Sequence, residues 1–120
     1  ENVVPLNMAA WNEDTFLELK RSRVSFTSRV VRSDSKSNVI ARTLDSIVST
    51  LNLKVDVIKI DVEGVEQVVL EGSIKVLSSC KKLLVEVHNL SEMPRLTSIL
   101  NNSDFSVKTV RERWLLATRE

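Results

Sequence analysis

The sequence predicts an α/β fold: a mostly parallel sheet with flanking helices, finished by a C-terminal antiparallel hairpin. Three observations lead there. A β-branched apolar run, Val55 to Ile60, turns acidic at Asp61-Val62-Glu63 and reaches Gly64. A helical pattern follows, with Val65, Val68 and Val69 on one face and Gly72 in the usual place of a C-terminal glycine, before a second apolar run from Leu83 to Val87. Strand, helix and strand, with both strands apolar on both faces, make a βαβ unit of a buried parallel sheet. Near the end, Arg111-Glu112-Arg113 joins two further apolar runs, and so short a turn joins only antiparallel strands.

Taken in order, Val3 to Trp11 is apolar and extended, with Pro5 tolerable near a strand start or edge. Asn12-Glu13-Asp14 is turn chemistry. Phe16 to Lys20 and Val24 to Thr27, around Arg21-Ser22-Arg23, predict a β-hairpin. Ser28 to Asn38 is polar and serine-rich and predicts a mobile surface loop. Seven basic residues and one acid, Asp34, fall between Lys20 and Arg42; such a run either steers an anionic substrate or simply faces solvent.

Val39 to Ala41 predict a short strand leading to Thr43, which can cap a helix with Asp45 in its first turn. Leu44, Ile47, Val48 and Leu51 recur at helical spacing, so this helix should pack on the sheet and form the first crossover of a doubly wound layer. After His88, Ser91 reads as an N-cap and Pro94 falls in the first turn, where its missing N–H is harmless. Leu96, Ile99 and Leu100 give that helix a buried face, Asn101-Asn102 end it, and Phe105 with Val107 opens the closing hairpin that returns through Trp114 to Thr118.

Bulk properties fit one domain. The chain has 120 residues, 42% hydrophobic content and a formal net charge of +1, so no nucleic-acid partner is implied. Residues 1–38 read as a strand, hairpin and loop, and residues 39–120 as the α/β core. The single cysteine, Cys80, excludes an internal disulfide and a CxxC metal site; it reads as a small apolar filler in a cytoplasmic protein. No apolar run approaches the ~20 residues of a membrane span. The chain opens on Glu1 and reads as a piece of something longer.

The chemistry concentrates where the two strands of the βαβ unit end: Asp61, Glu63, Glu66, Glu86 and His88. Ligands of open parallel sheets bind at the carboxyl ends of strands. Carboxylates there can hold an acceptor, ligate a divalent cation, or act with His88 in proton transfer. The spacing matches no dedicated metal pattern, and no metal is assigned. The competing structural account has Asp61 and Glu63 capping the helix after Gly64, with His88 a hydrogen-bonded core histidine partnered by Glu66 or Glu86.

Ile58-Lys59-Ile60-Asp61-Val62-Glu63-Gly64, with Glu66 and Leu70-Glu71-Gly72 behind it, resembles the signature of the FkbM family of S-adenosylmethionine-dependent methyltransferases. Thr43-Leu44-Asp45, Asn7-Met8-Ala9-Ala10-Trp11-Asn12, Glu86-Val87-His88 and Trp114-Leu115-Leu116-Ala117 fit the same family in order. The resemblance implies a Rossmann-like methyltransferase fold, S-adenosylmethionine as cofactor, and a sugar, lipid or small-molecule hydroxyl as acceptor. It places Asp61, Glu63 and His88 at the catalytic centre and Asn7, Ala9 and Ala10 on the adenine side of the cofactor pocket.

Family members also carry a first strand with a glycine-rich loop and a second strand ending in an acid. The glycines here are Gly64 and Gly72, neither in a GxG loop, so the chain resembles the C-terminal part of the domain. Cofactor binding by these residues alone is therefore expected to be weak. A response-regulator receiver is excluded by the terminal hairpin and by the lack of a lysine ending the last parallel strand. The standing alternative is a methyltransferase-like remnant that acts as an interaction module, a homo-oligomer paired through exposed strands.

Overall fold

The computed structural model of the chain describes residues 2–21, 28–32 and 39–120. The strands are β1 (Ala9–Ala10), β2 (Thr15–Arg21), β3 (Ser28–Arg32), β4 (Val39–Arg42), β5 (Val57–Ile60), β6 (Lys82–Glu86), β7 (Ser106–Val110) and β8 (Trp114–Thr118). They form two four-stranded sheets, ordered β1-β4-β2-β3 and β5-β6-β8-β7. The α/β class and the closing hairpin stand as the sequence predicts. The mostly parallel sheet does not: β1–β4 and β5–β6 are parallel, and the other four pairs are antiparallel. The physical reason lies in the connections, because short links tie β7 to β8 and a crossover long enough for a parallel return joins β5 to β6.

Helix α1 (Leu44–Thr50) is also placed differently from expectation. It joins β4 of one sheet to β5 of the other, so it is no crossover within a doubly wound layer. Both edges of β4 are already taken, by β1 and β2, and no edge remains for β5. None of its residues is fully buried; Leu44 touches the core and Leu51 just beyond it is 43% exposed. The β2–β3 hairpin exists, but its second strand is Ser28–Arg32, within the stretch expected to be a loop. Val30 and Val31 give that stretch the β-branched character a strand favours. The strand expected at Val24 to Thr27, like the rest of the expected loop from 33 to 38, lies outside the described residues.

The crossover from β5 to β6 carries two helices, α2 (Glu66–Glu71) and α3 (Ile74–Ser79). The break falls at Gly72, whose backbone is not left-handed (φ −88°), so this glycine is not there for a turn. A Cβ at Gly72 would stand 2.1 Å from the Trp11 carbonyl oxygen, so glycine is what lets the segment after β1 lie on the helix. The N-terminus of α3 is capped from a distance. Asp45 accepts from the backbone N–H of Lys75 (3.0 Å) and of Val76 (2.9 Å), while Ser73 makes no side-chain cap. Asp14 does the same for α1, accepting from Thr43 N–H (3.0 Å) and the Ser46 hydroxyl (2.9 Å), alongside the expected Thr43 cap to Ser46 N–H (3.0 Å).

Helix α4 (Met93–Asn102) follows a single 3-10 turn at Leu90–Glu92 capped by Asn89, which replaces the expected Ser91 cap, and Pro94 sits in its first turn. The core lies on one face of the second sheet, where Ile60, Leu83, Val85, Leu115 and Ala117 meet Val69 and Leu70 of α2, Leu77 of α3, and Leu96 and Leu100 of α4. The opposite face of that sheet is only half covered, and Val57 on β5 is 64% exposed, so the strands are not buried on both faces as expected. Arg119 locks the helix ends beneath: it donates to the carbonyls of Leu77, Ser78 and Ser103 and lies over the Phe105 ring. Among the described residues no helix is long and apolar enough to cross a membrane.

Candidate functional site

Parallel pairing of β5 with β6, in the register Ile60 to Val85, brings the carboxyl ends of both strands to the same side of the sheet. Asp61 is the first residue beyond β5, and His88 the second beyond β6. Between Asp61 and α2 the chain bends through two consecutive residues of positive φ, Glu63 (54°) and Gly64 (98°). Glycine carries this conformation freely, whereas Glu63 holds it at a cost, a pattern that concentrates at functional sites. In the turn that results, Gly64 N–H donates to Oε1 of Glu66 at 3.0 Å.

The same oxygen of Glu66 lies 2.6 Å from His88 Nδ1. Glu66 is 3% exposed, and its buried charge is satisfied by these two partners. A carboxylate accepts, so Nδ1–H of His88 is the donor and Nε2 is left to exchange a proton. That atom stands 3.6 Å from Oδ1 of Asp61 and 3.4 Å from Oε1 of Glu63. Burial works against protonation of the imidazole, but the Glu66 hydrogen bond and the charges of Glu63, Glu66 and Glu86 outweigh it and hold its pKa above the ordinary histidine value.

Asp61, Glu63 and His88 thus converge, with one ligand-capable atom from each within 4.8 Å of the others. The capping account of Asp61 and Glu63 is overturned, because the N-cap of α2 is Val65 and carries no side-chain cap. Lys59 is a member that sequence reasoning missed. It lies two residues before Asp61, on the same side of an alternating strand, and its ammonium meets Oδ2 at 3.4 Å while standing over the Trp114 ring.

Asn7, Ala9 and Ala10 are placed elsewhere. Asn7 is exposed, Ala9 and Ala10 are half-buried in β1, and the chain just beyond them packs on the C-terminal end of α2, where Asn12 donates to Glu71 (3.1 Å). The histidine cluster sits at the N-terminal end of that helix, about 9 Å away for six residues. A groove of about 390 Å³ does open beside β1, lined by Leu6, Met8, Arg42, Ile47 and Lys75 among others, none of them from the cluster. Cys80 is fully buried, and burial pushes its thiol pKa up, as suits an apolar filler.

The chain matches the Methyltransferase FkbM domain over residues 4–107, a span that includes both parallel strand pairs and every residue of the cluster. No curated protein sequence and no solved structure matches it. The sequence signature and this match agree, and the chain belongs to the FkbM methyltransferase family.

Proposed function

We propose that this chain carries the acceptor-handling part of an S-adenosylmethionine-dependent O-methyltransferase, with His88 as general base and Asp61 and Glu63 as the groups that orient the acceptor. The observation that carries the reading is the placement of His88: Nδ1 is fixed by buried Glu66, and Nε2 faces Asp61 and Glu63 at the open end of the sheet. A hydroxyl bound there donates its proton to Nε2 as its oxygen becomes a nucleophile, and the carboxylates stabilise the imidazolium that forms. The family's cofactor supplies the methyl group. Neither of the chain's two glycines offers the cofactor a cradle: Gly72 is closed off by Trp11, and Gly64 belongs to the turn behind Glu63. Asn7, Ala9 and Ala10 are kept as candidates for its adenine side, beside the β1 groove.

The test is methyl transfer by a protein containing this segment, in the cytoplasmic setting proposed for it, against sugar, lipid and small-molecule hydroxyl acceptors. Asp61→Asn and His88→Gln should each lower turnover roughly a hundredfold, the range of general acid–base groups, with thermal unfolding little changed. Full turnover in both variants would remove them from the chemistry. Calorimetry with S-adenosylmethionine on the 120 residues alone should show weak binding or none.

A second reading, an oligomerisation module, is favoured by the edge strand β5, which among the described residues pairs with β6 alone and exposes Val57. Sedimentation equilibrium showing a clean monomer would rule it out.

A further inference from the structure

We propose that Asp61, Glu63 and His88 form a binding site for one divalent transition-metal ion, of the Zn²⁺ or Mn²⁺ kind. The arrangement supplies what such a site requires. Three donors of two chemical types converge from two strand ends, within 4.8 Å of one another. The two distances from His88 Nε2, 3.6 Å to Asp61 and 3.4 Å to Glu63, are those of neighbouring vertices around a small ion. Ligand bonds of about 2.1 Å in tetrahedral geometry place donors about 3.4 Å apart.

The surroundings are equally specific. Metal-bound histidines donate their other ring N–H to a carboxylate or carbonyl, which fixes the ring and its tautomer. Glu66 does this for His88 at 2.6 Å. Its own position is fixed by burial and by the Gly64 N–H, so the Nε2 lone pair is aimed before any ion arrives. Lys59 approaches Asp61 at Oδ2, which leaves Oδ1 directed at the histidine. Side-chain exposures of 38% at Asp61 and 40% at Glu63 give an ion a path in and leave open positions for a further ligand. One imidazole and two carboxylates suit zinc or manganese, whereas magnesium and calcium prefer oxygen alone.

Metal binding stands on this geometry; its use in methyl transfer rests on the proposed acceptor-handling role. Because the ion would occupy the Nε2 lone pair, it would take over the base role of His88, holding the acceptor oxygen and easing loss of its proton to solvent. The experiment is calorimetric titration of the metal-stripped chain with Zn²⁺, Mn²⁺ and Mg²⁺ separately, with the ring resonances of His88, the single histidine, followed by NMR. One equivalent of Zn²⁺ or Mn²⁺ should bind saturably and shift or broaden those resonances, with Mg²⁺ at least tenfold weaker. Asp61→Asn, Glu63→Gln and His88→Gln should each cost tenfold or more, and Glu66→Gln 10- to 100-fold through loss of ring orientation. Absence of saturable binding overturns the proposal, as does binding that leaves the His88 resonances untouched, a reading that needs no variant to fold. Ion binding by the chain, with no methyl transfer by a protein that contains it and binds S-adenosylmethionine, would leave the site standing and defeat the proposed function. Methyl transfer with no ion uptake and no effect of a chelator would do the reverse.

Discussion

His88 Nδ1 lies 2.6 Å from Oε1 of Glu66, a carboxylate 97 parts in a hundred out of water by its 3% exposure. A residue at a strand end is thereby fixed by a residue in the first turn of the crossover helix, and the atom facing the open site is determined. In the metal-free protein the imidazole pKa is raised, although burial opposes this, by Glu66 and by the charges of Glu63 and Glu86. Glu66→Gln should move the His88 titration midpoint down, read by NMR. A raised pKa contributes stability that is full below the unfolded value, about 6.5, and is lost as pH rises through the folded value. The variant should show less of that loss, and an unmoved midpoint would discount the contact.

The two glycines should respond to alanine for different reasons. Gly72→Ala drives a Cβ into the Trp11 carbonyl, 2.1 Å away, with Asn12 Cα at 3.1 Å, and a backbone cannot step aside as a flexible side chain would. The expected cost is roughly 3 kcal/mol, the upper end for overpacking. Gly64→Ala has open space but a φ of 98°, and should cost about 1–2 kcal/mol of backbone strain. Urea unfolding of both variants separates the two.

Asp45 joins α1 to α3, since it sits in the first turn of one and accepts two N–H groups at the start of the other. Asp45→Ala leaves those donors unmet and should cost about 2 kcal/mol, the upper end for a lost cap. Hydrogen exchange at Lys75 and Val76 should quicken more than in α4, and uniform acceleration would assign the loss elsewhere.

Asp14 is held below the usual carboxylate pKa by the Thr43 N–H, and next by the Ser46 hydroxyl. A lowered acid contributes stability that is full above its unfolded pKa, about 3.9, and is lost as pH falls through the folded value. Thermal melts from pH 5 downward should therefore fall less steeply in Asp14→Asn than in the native chain. Parallel slopes would show that the contact is not formed in solution.

Within the described chain, the strands β5 and β6, the buried face of α4, the Thr43 cap and the closing hairpin follow from the sequence alone, whereas α2 buries Glu66, Val69 and Leu70 rather than the expected Val65, Val68 and Val69. Each of the former is written in a few adjacent residues, as an apolar period, a cap or a short turn. The gathering of Asp61 and His88 was legible too, because a parallel pair joined by one crossover puts both strand ends on the same side. The remaining features come from contacts between distant segments. Asn12 meets Glu71 from 59 residues away, Asp45 caps a helix 30 residues on, and β4 and β5 part into separate sheets. The tertiary structure also placed Glu63 beside Nε2 through a left-handed turn and freed it from the capping role its position suggests. Local pattern follows from the side chains of one segment, whereas such contacts depend on which edges and helix ends other segments have already filled.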